Sequence, residues 1–321
     1  MATTPYDNGI VGWVTEPTTR GTASLLFSCV STILICTWSA LHLDVPLRQD
    51  ASAISLFLRK VVYLIFALLA PEMVALIAFW DWAGTRKLTE DMRTHVVGSE
   101  WSSTLSFFVV MHGVRVQYPS GKMLPLPASG AHKFLRNDWV DLSVSSLEAV
   151  KDKSKASGFS KSVASAQITW FLCQLIGRAA ARMTITPLEL FTLAYIVCAS
   201  ATYTCWWSKP FDVEVALVLP TEPCFPPGQE RHYRKRFRKV IWWQGLLGDG
   251  LNENLVGIRF SWNFFMLVCA LFGACHLAGW NAHFATPVER LLWRIGSVIC
   301  TCLPLITILL PKLMANFDWE V

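Results

Sequence analysis

Six stretches of about 20 apolar residues, the length needed to cross a bilayer's hydrocarbon layer, recur along this chain. They run from Thr22 to Leu43, Val61 to Trp80, Val163 to Ala181, Leu188 to Trp207, Ser261 to Trp280 and Leu291 to Leu310. Only 16% of the residues are charged and 53% are hydrophobic, whereas a soluble domain carries about 25% charged residues. The expected fold is all-α, a polytopic transmembrane helix bundle. The first apolar stretch follows more than 20 mostly polar residues and lacks the short core and small-residue cleavage site of a signal peptide, so it is read as a mature span.

A seventh segment, Ser102 to Val116, contains His112 and Arg115. It is read as a tilted third span anchored by Trp101 and Tyr118, with a re-entrant or interfacial helix as the alternatives. Basic residues concentrate between Pro119 and Lys161 and between Ser208 and Arg259, which places both connections in the cytoplasm by the positive-inside rule. Seven spans put the amino terminus outside and the carboxyl terminus inside; six put both inside. The expected organisation is a short segment 1–22, transmembrane helices one to three over 23–118, and a cytoplasmic loop over 119–161. Helices four and five follow over 162–207, a basic cytoplasmic loop over 208–259, and helices six and seven with a short tail over 260–321.

Within the loops, Ser145 to Lys153 suits a short helix. Val213 to Val218 alternates like a strand, but the prolines that follow argue against a larger sheet. The run Arg231 to Lys239 carries six basic residues and leads into Trp242 and Trp243. Beside a membrane this composition favours an anionic lipid surface over nucleic acid. The ten cysteines have no paired spacing and read as packing residues. Histidine pairs at helical spacing, diphosphate-magnesium motifs, phosphate loops and nucleophile elbows are absent. No metal or cofactor is therefore expected, and hydrolases, ATP-driven pumps and magnesium-dependent prenyl transfer are disfavoured.

The polar residues inside the apolar runs carry what chemistry there is. Gln167, Trp170, Gln174 and Arg178 stand three, four and four residues apart and form one stripe of a helix. Facing lipid would be costly for them, so the stripe is expected to face a bundle interior or a cavity. Glu189, in Thr186-Pro187-Leu188-Glu189, fits a capped helix start. Asp81 falls between Trp80 and Trp82 and reads as a solvated interface residue. Glu72 lies deep in the second run, directly after Pro71, which is expected to kink the helix there. It has no local structural explanation, and Arg178 is its natural partner.

Several segments carry a resemblance. They are Ser28 to Pro46, Ala70-Pro71-Glu72, Asp152 to Lys155, Gln167 to Arg178, Ile185 to Leu190 and Trp206-Trp207-Ser208-Lys209-Pro210. In this order they resemble a large group of uncharacterised fungal multi-pass integral membrane proteins. The resemblance implies a fungal origin and a polytopic topology, without an active site to carry over.

The resulting expectation is a membrane-embedded cyclase or isomerase acting on a lipophilic, terpenoid-like substrate of secondary metabolism. Glu72 would be the general acid, oriented by Arg178, Gln174 or His112, with Gln167 and Trp170 against the substrate. The expected location is the endoplasmic reticulum or another endomembrane, with membrane lipids and a lipophilic small molecule as partners and no nucleic acid. The competing expectation is a non-enzymatic transporter, sensor or scaffold.

Overall fold

The computed structural model describes residues 21–46, 52–95, 101–140, 157–222, 225–226, 230 and 255–315. In chain order the elements are α1 (Thr22–Ala40), α2 (Ala53–Leu69), α3 (Pro71–His95), α4 (Ser103–Val110), β1 (Val114–Gln117) and β2 (Met123–Pro125). There follow α5 (Ala131–Arg136), α6 (Ser157–Ala180), α7 (Pro187–Cys205), β3 (Leu217–Pro220), α8 (Leu255–Leu277) and α9 (Pro287–Ala315). The chain divides into two compact units. Unit 1 comprises Met1–Ser39, Val163–Ala201 and Trp262–Val321, and unit 2 comprises Ala40–Ser162 and Thr202–Ser261. The proposed helix at Ser145 to Lys153 and the basic run Arg231 to Lys239 lie outside the described residues.

The protein is mostly helical, as its apolar runs require, but the runs do not all become spans. Among the described residues, α1 and α7 are long and apolar enough to cross a membrane. A third candidate, α2 with α3, exists only as a pair bent by 112°. The reason is Pro71: instead of kinking a continuous helix it occupies the first position of a new one, where its missing N–H costs nothing. The remaining helices do not meet the same measure over their described residues.

Ser102 to Val116 is not a span. It forms the eight-residue α4, ended by a Schellman arrangement in which His112 N–H donates to Val109 O (3.0 Å) and Gly113 N–H to Phe108 O (2.8 Å). His112 takes the left-handed conformation (φ 63°). A Cβ at Gly113 would meet the Phe108 carbonyl at 2.6 Å, so the chain leaves the helix over a glycine and enters β1.

Unit 1 is a helical assembly. Cys29, Phe171, Leu175 and Ile196 form a core from α1, α6 and α7, while a Cβ at Gly273 of α8 would collide with Thr301 of α9. Such close approach over small residues is how helices pack where lipid removes the hydrophobic incentive. Most hydroxyls here bond back within their own helix: Thr32 to Ser28 O (2.6 Å), Thr192 to Leu188 O (2.8 Å) and Thr301 to Ser297 O (2.7 Å). His276, buried among Phe191, Phe272 and Trp293, places Nδ1 2.9 Å from Phe272 O.

Unit 2 is built differently. A three-stranded sheet of order β2-β1-β3 pairs β1 antiparallel to β2 and parallel to β3, with Arg115 opposite both Pro125 and Val218. The hairpin turns on Pro119, Ser120 and Gly121, the glycine at φ 78°. Of the alternating segment Val213 to Val218 only Leu217 and Val218 enter a strand, which runs on to Pro220, and that strand joins a sheet that the following prolines do not prevent. Trp101, Phe108, Met111, Val116, Phe134 and Phe225 belong to a core shared by helices and sheet. Part of the segment expected to be a cytoplasmic loop is therefore folded α+β structure, with α5 closing over the same core through Phe134.

Candidate functional site: a buried charge cluster beside an open cleft

Three charged side chains that stand at the ends of apolar runs meet inside unit 2. Lys209, 2% exposed, places Nζ 2.9 Å from Asp44 Oδ1 and 2.8 Å from Asp81 Oδ2. Trp206 donates Nε1–H to the same Asp81 oxygen at 3.0 Å, and Nζ also lies 4.5 Å from the centre of its indole. Asp44 follows α1, Asp81 sits on α3 and Lys209 follows α7. The cluster is thus assembled across 165 and 128 residues of sequence.

Its surroundings are also polar and closed. His42 packs against Trp206 and Phe211, with Nδ1 2.9 Å from Ala40 O. Arg59 donates to Asp44 O at 2.8 Å, Lys60 pairs with Asp212 at 2.7 Å, and Arg115 donates to Pro46 O.

Electrostatics hold Asp44 and Lys209 in their charged forms. Burial alone would raise the Asp44 carboxyl, but Lys209, then His112 and Arg59, hold it below its ordinary value. Burial likewise disfavours the Lys209 cation, and Asp44 and Asp81 overcome it and hold its pKa above the usual lysine range. Two carboxylates and an indole face occupy the ammonium group, so Lys209 is a fixed cation and not an amine nucleophile. The cluster acts as a frame.

Beside it opens a cleft of about 540 Å³. Trp82, Thr85, Arg86, Thr89, Glu90, Arg93 and Thr94 of α3 form one wall; Ser103 and Phe107 of α4, and Thr204, Cys205, Trp207 and Ser208 at the end of α7, form the others. Trp206 of the charge cluster lies between Cys205 and Trp207 in sequence and so ties the frame to the cleft. Arg86 lies 5.5 Å over the Trp82 ring, and Arg93 Nε donates to Trp101 O at 2.9 Å. Neither arginine has an ion pair among the described residues. Thr85 is 2% exposed, and its buried hydroxyl has no hydrogen-bond partner among the described residues. The cleft is therefore lined by the guanidinium groups of Arg86 and Arg93, the carboxyl group of Glu90 and the indoles of Trp82 and Trp207.

The residues singled out from sequence are distributed otherwise. Arg178 pairs with Glu189, which is 0% exposed. Glu189 also accepts from Thr186 N–H (2.8 Å) and Oγ1 (2.7 Å), while Thr186 Oγ1 caps the Glu189 amide: the expected helix start, with an ion pair added. Gln167 donates to Thr32 Oγ1 at 2.8 Å, and Gln174 is half-buried on the same face of α6. Trp170 breaks the stripe, being 61% exposed, because its 100° steps carry it off the face that Phe171 and Leu175 bury.

Glu72 belongs to unit 2 and does not share a unit with the stripe. It stands in the first turn of α3, where the helix dipole favours an acid. Its buried Oε2 has no hydrogen-bond partner. Of the expected site residues only His112 bears on the charge cluster, through Asp44.

Sequence reasoning missed Asp81, which is buried and paired, not solvated, and Lys209, which reads as an interface anchor. The usable signal was that Asp44, Asp81 and Lys209 each end an apolar run. Among the described residues no group of three or more histidine, cysteine or acidic side chains is arranged to hold a metal ion.

A family model described as a family of unknown function (DUF8562) matches residues 1–224, a span that takes in the whole cluster and cleft. No curated protein and no solved structure matches the chain.

Proposed function

Since the chain belongs to this family, we propose from its own chemistry that it is a multi-pass endomembrane protein that binds an amphiphilic, negatively charged small molecule. The cleft of unit 2 is the binding site, and the Asp44, Asp81, Lys209 cluster is its rigid frame. The observation that carries this reading is the grouping of Arg86 and Arg93, neither ion-paired among the described residues, with Trp82 and Trp207 around one cleft. Guanidinium groups recognise oxyanions, and indoles supply an apolar, interface-seeking wall. The location supports an amphiphile: Thr204 and Cys205 are in the last turn of a helix apolar enough to span, and Trp207, 61% exposed, lies just beyond it. The exposed Phe27, Val30 and Leu34 on α1 suit lipid contact.

The test is binding of dodecyl phosphate to the full chain in lipid nanodiscs. The wild type should bind it in preference to dodecyltrimethylammonium, and Arg86→Ala combined with Arg93→Ala should weaken binding at least tenfold. Equal binding by the double variant would exclude this site.

The catalytic alternative, an acid-dependent cyclase or isomerase of a terpenoid-like substrate in fungal secondary metabolism, is favoured by one observation, the buried Oε2 of Glu72 that lacks a hydrogen-bond partner. It requires that Glu72→Gln abolish turnover while abundance and location are preserved.

A further inference from the structure

Helix α2 is amphipathic in an unusual sense. Ile54, Phe57, Leu58, Val62, Ile65 and Leu69 follow helical spacing down one face and are 52 to 80% exposed. The opposite face carries the helix's polar residues, and these turn toward protein: Arg59 to Asp44 O and Lys60 to Asp212, with Lys60 Nζ also 4.4 Å from the Phe211 ring centre. Water would be an unfavourable neighbour for so continuous an apolar stripe. The apolar medium that an exposed face of a membrane protein meets is lipid.

We infer that α2 lies in the plane of the membrane surface, its apolar face in the outer part of the hydrocarbon layer, and does not cross. The geometry rests on where its middle is tied. Asp44 and Asp212 follow closely on the last residues of α1 and α7, the two helices fit to span, which sets both acids at the boundary between membrane and water. Arg59 and Lys60, at the centre of α2, are bound to those two segments. A helix held at the boundary by its midpoint and crossing steeply would leave half of its apolar face in water, either Ile54, Phe57 and Leu58 or Val62, Ile65 and Leu69. Lying flat buries both halves. At 17 residues it is also near the lower limit for spanning, and the 112° turn into α3 removes the continuation that would lengthen it.

The inference rests on α1 and α7 crossing the bilayer and is independent of the cleft. It is tested by placing a fluorescent amino acid at Phe57, at Val62 or at Ile65 of the full chain in vesicles, with Leu34 on α1 as the deep reference. Lipids brominated at different depths then report position. All four side chains are at least 43% exposed. The three α2 probes should be quenched at one shallow depth and Leu34 much deeper. Depths that progress from Phe57 to Ile65 by roughly the 12 Å that eight helical residues rise would overturn the in-plane placement. Shallow quenching or none at Leu34 would overturn the spanning reading as well.

Discussion

The two units differ in what holds their buried charges. In unit 1 the hydroxyls of Thr32, Thr192 and Thr301 bond to carbonyls four residues back, and the acid Glu189 is served mainly by the turn it caps. In unit 2 the buried Lys60, Asp81 and Lys209 meet partners 125 to 165 residues away. Local satisfaction survives when helices shift past one another, whereas long-range ion pairs exist only in one arrangement. A segment set that brings together the ends of α1 and α7 with the middle of α3 in one geometry is suited to hold a binding cleft.

The sharpest way to break this contrast is Lys209→Met. It strands Asp44 and Asp81 in a buried site, and removing one partner of a buried pair costs about 3 to 5 kcal/mol. Protease susceptibility of unit 2 and denaturant midpoints should both register the loss. In unit 1 the comparable change, Glu189→Gln, should cost less, about 1 to 3 kcal/mol, because Arg178 is half-buried and the Thr186 cap is partly retained.

The charge cluster also makes unit 2 sensitive to pH. Asp44 is held below its ordinary value of 3.8, so its contribution is complete above that value and disappears as pH falls through the depressed one. Lys209 is held above 10.5, so its contribution is complete below 10.5 and disappears as pH rises through the elevated one. Unit 2 should thus be level in stability between these limits as far as these two groups govern it, and weaken beyond either in a pH titration of its unfolding. The smallest effect belongs to Thr32→Val, which removes the acceptor for Gln167; a loss of about 0.6 to 2 kcal/mol in unit 1 is expected from thermal unfolding.

What the sequence made legible follows the same division. Helical character, the stripe containing Gln167 and Arg178, and the cap at Thr186 are local, periodic features, and a spacing rule finds them. Lys209 and Asp81 escaped because a charge at the end of an apolar run looks the same whether water or a distant partner satisfies it. The expected kinked helix around Glu72 is two helices for a related reason: apolar content continues through Pro71 although the helix does not. Ser102 to Val116 was apolar because it is the inside of a small α+β core, and burial in protein and burial in lipid select the same residues. The Pro119-Ser120-Gly121 turn was the local sign of that core.

The most direct measurement of the account is a double-mutant cycle between Asp81→Asn and Lys209→Met, read from denaturant unfolding of the full chain. If the pair is the long-range tie that fixes unit 2, the double variant should recover much of what either single change loses, with a coupling of about 2 kcal/mol or more. Simple addition of the two losses would contradict it.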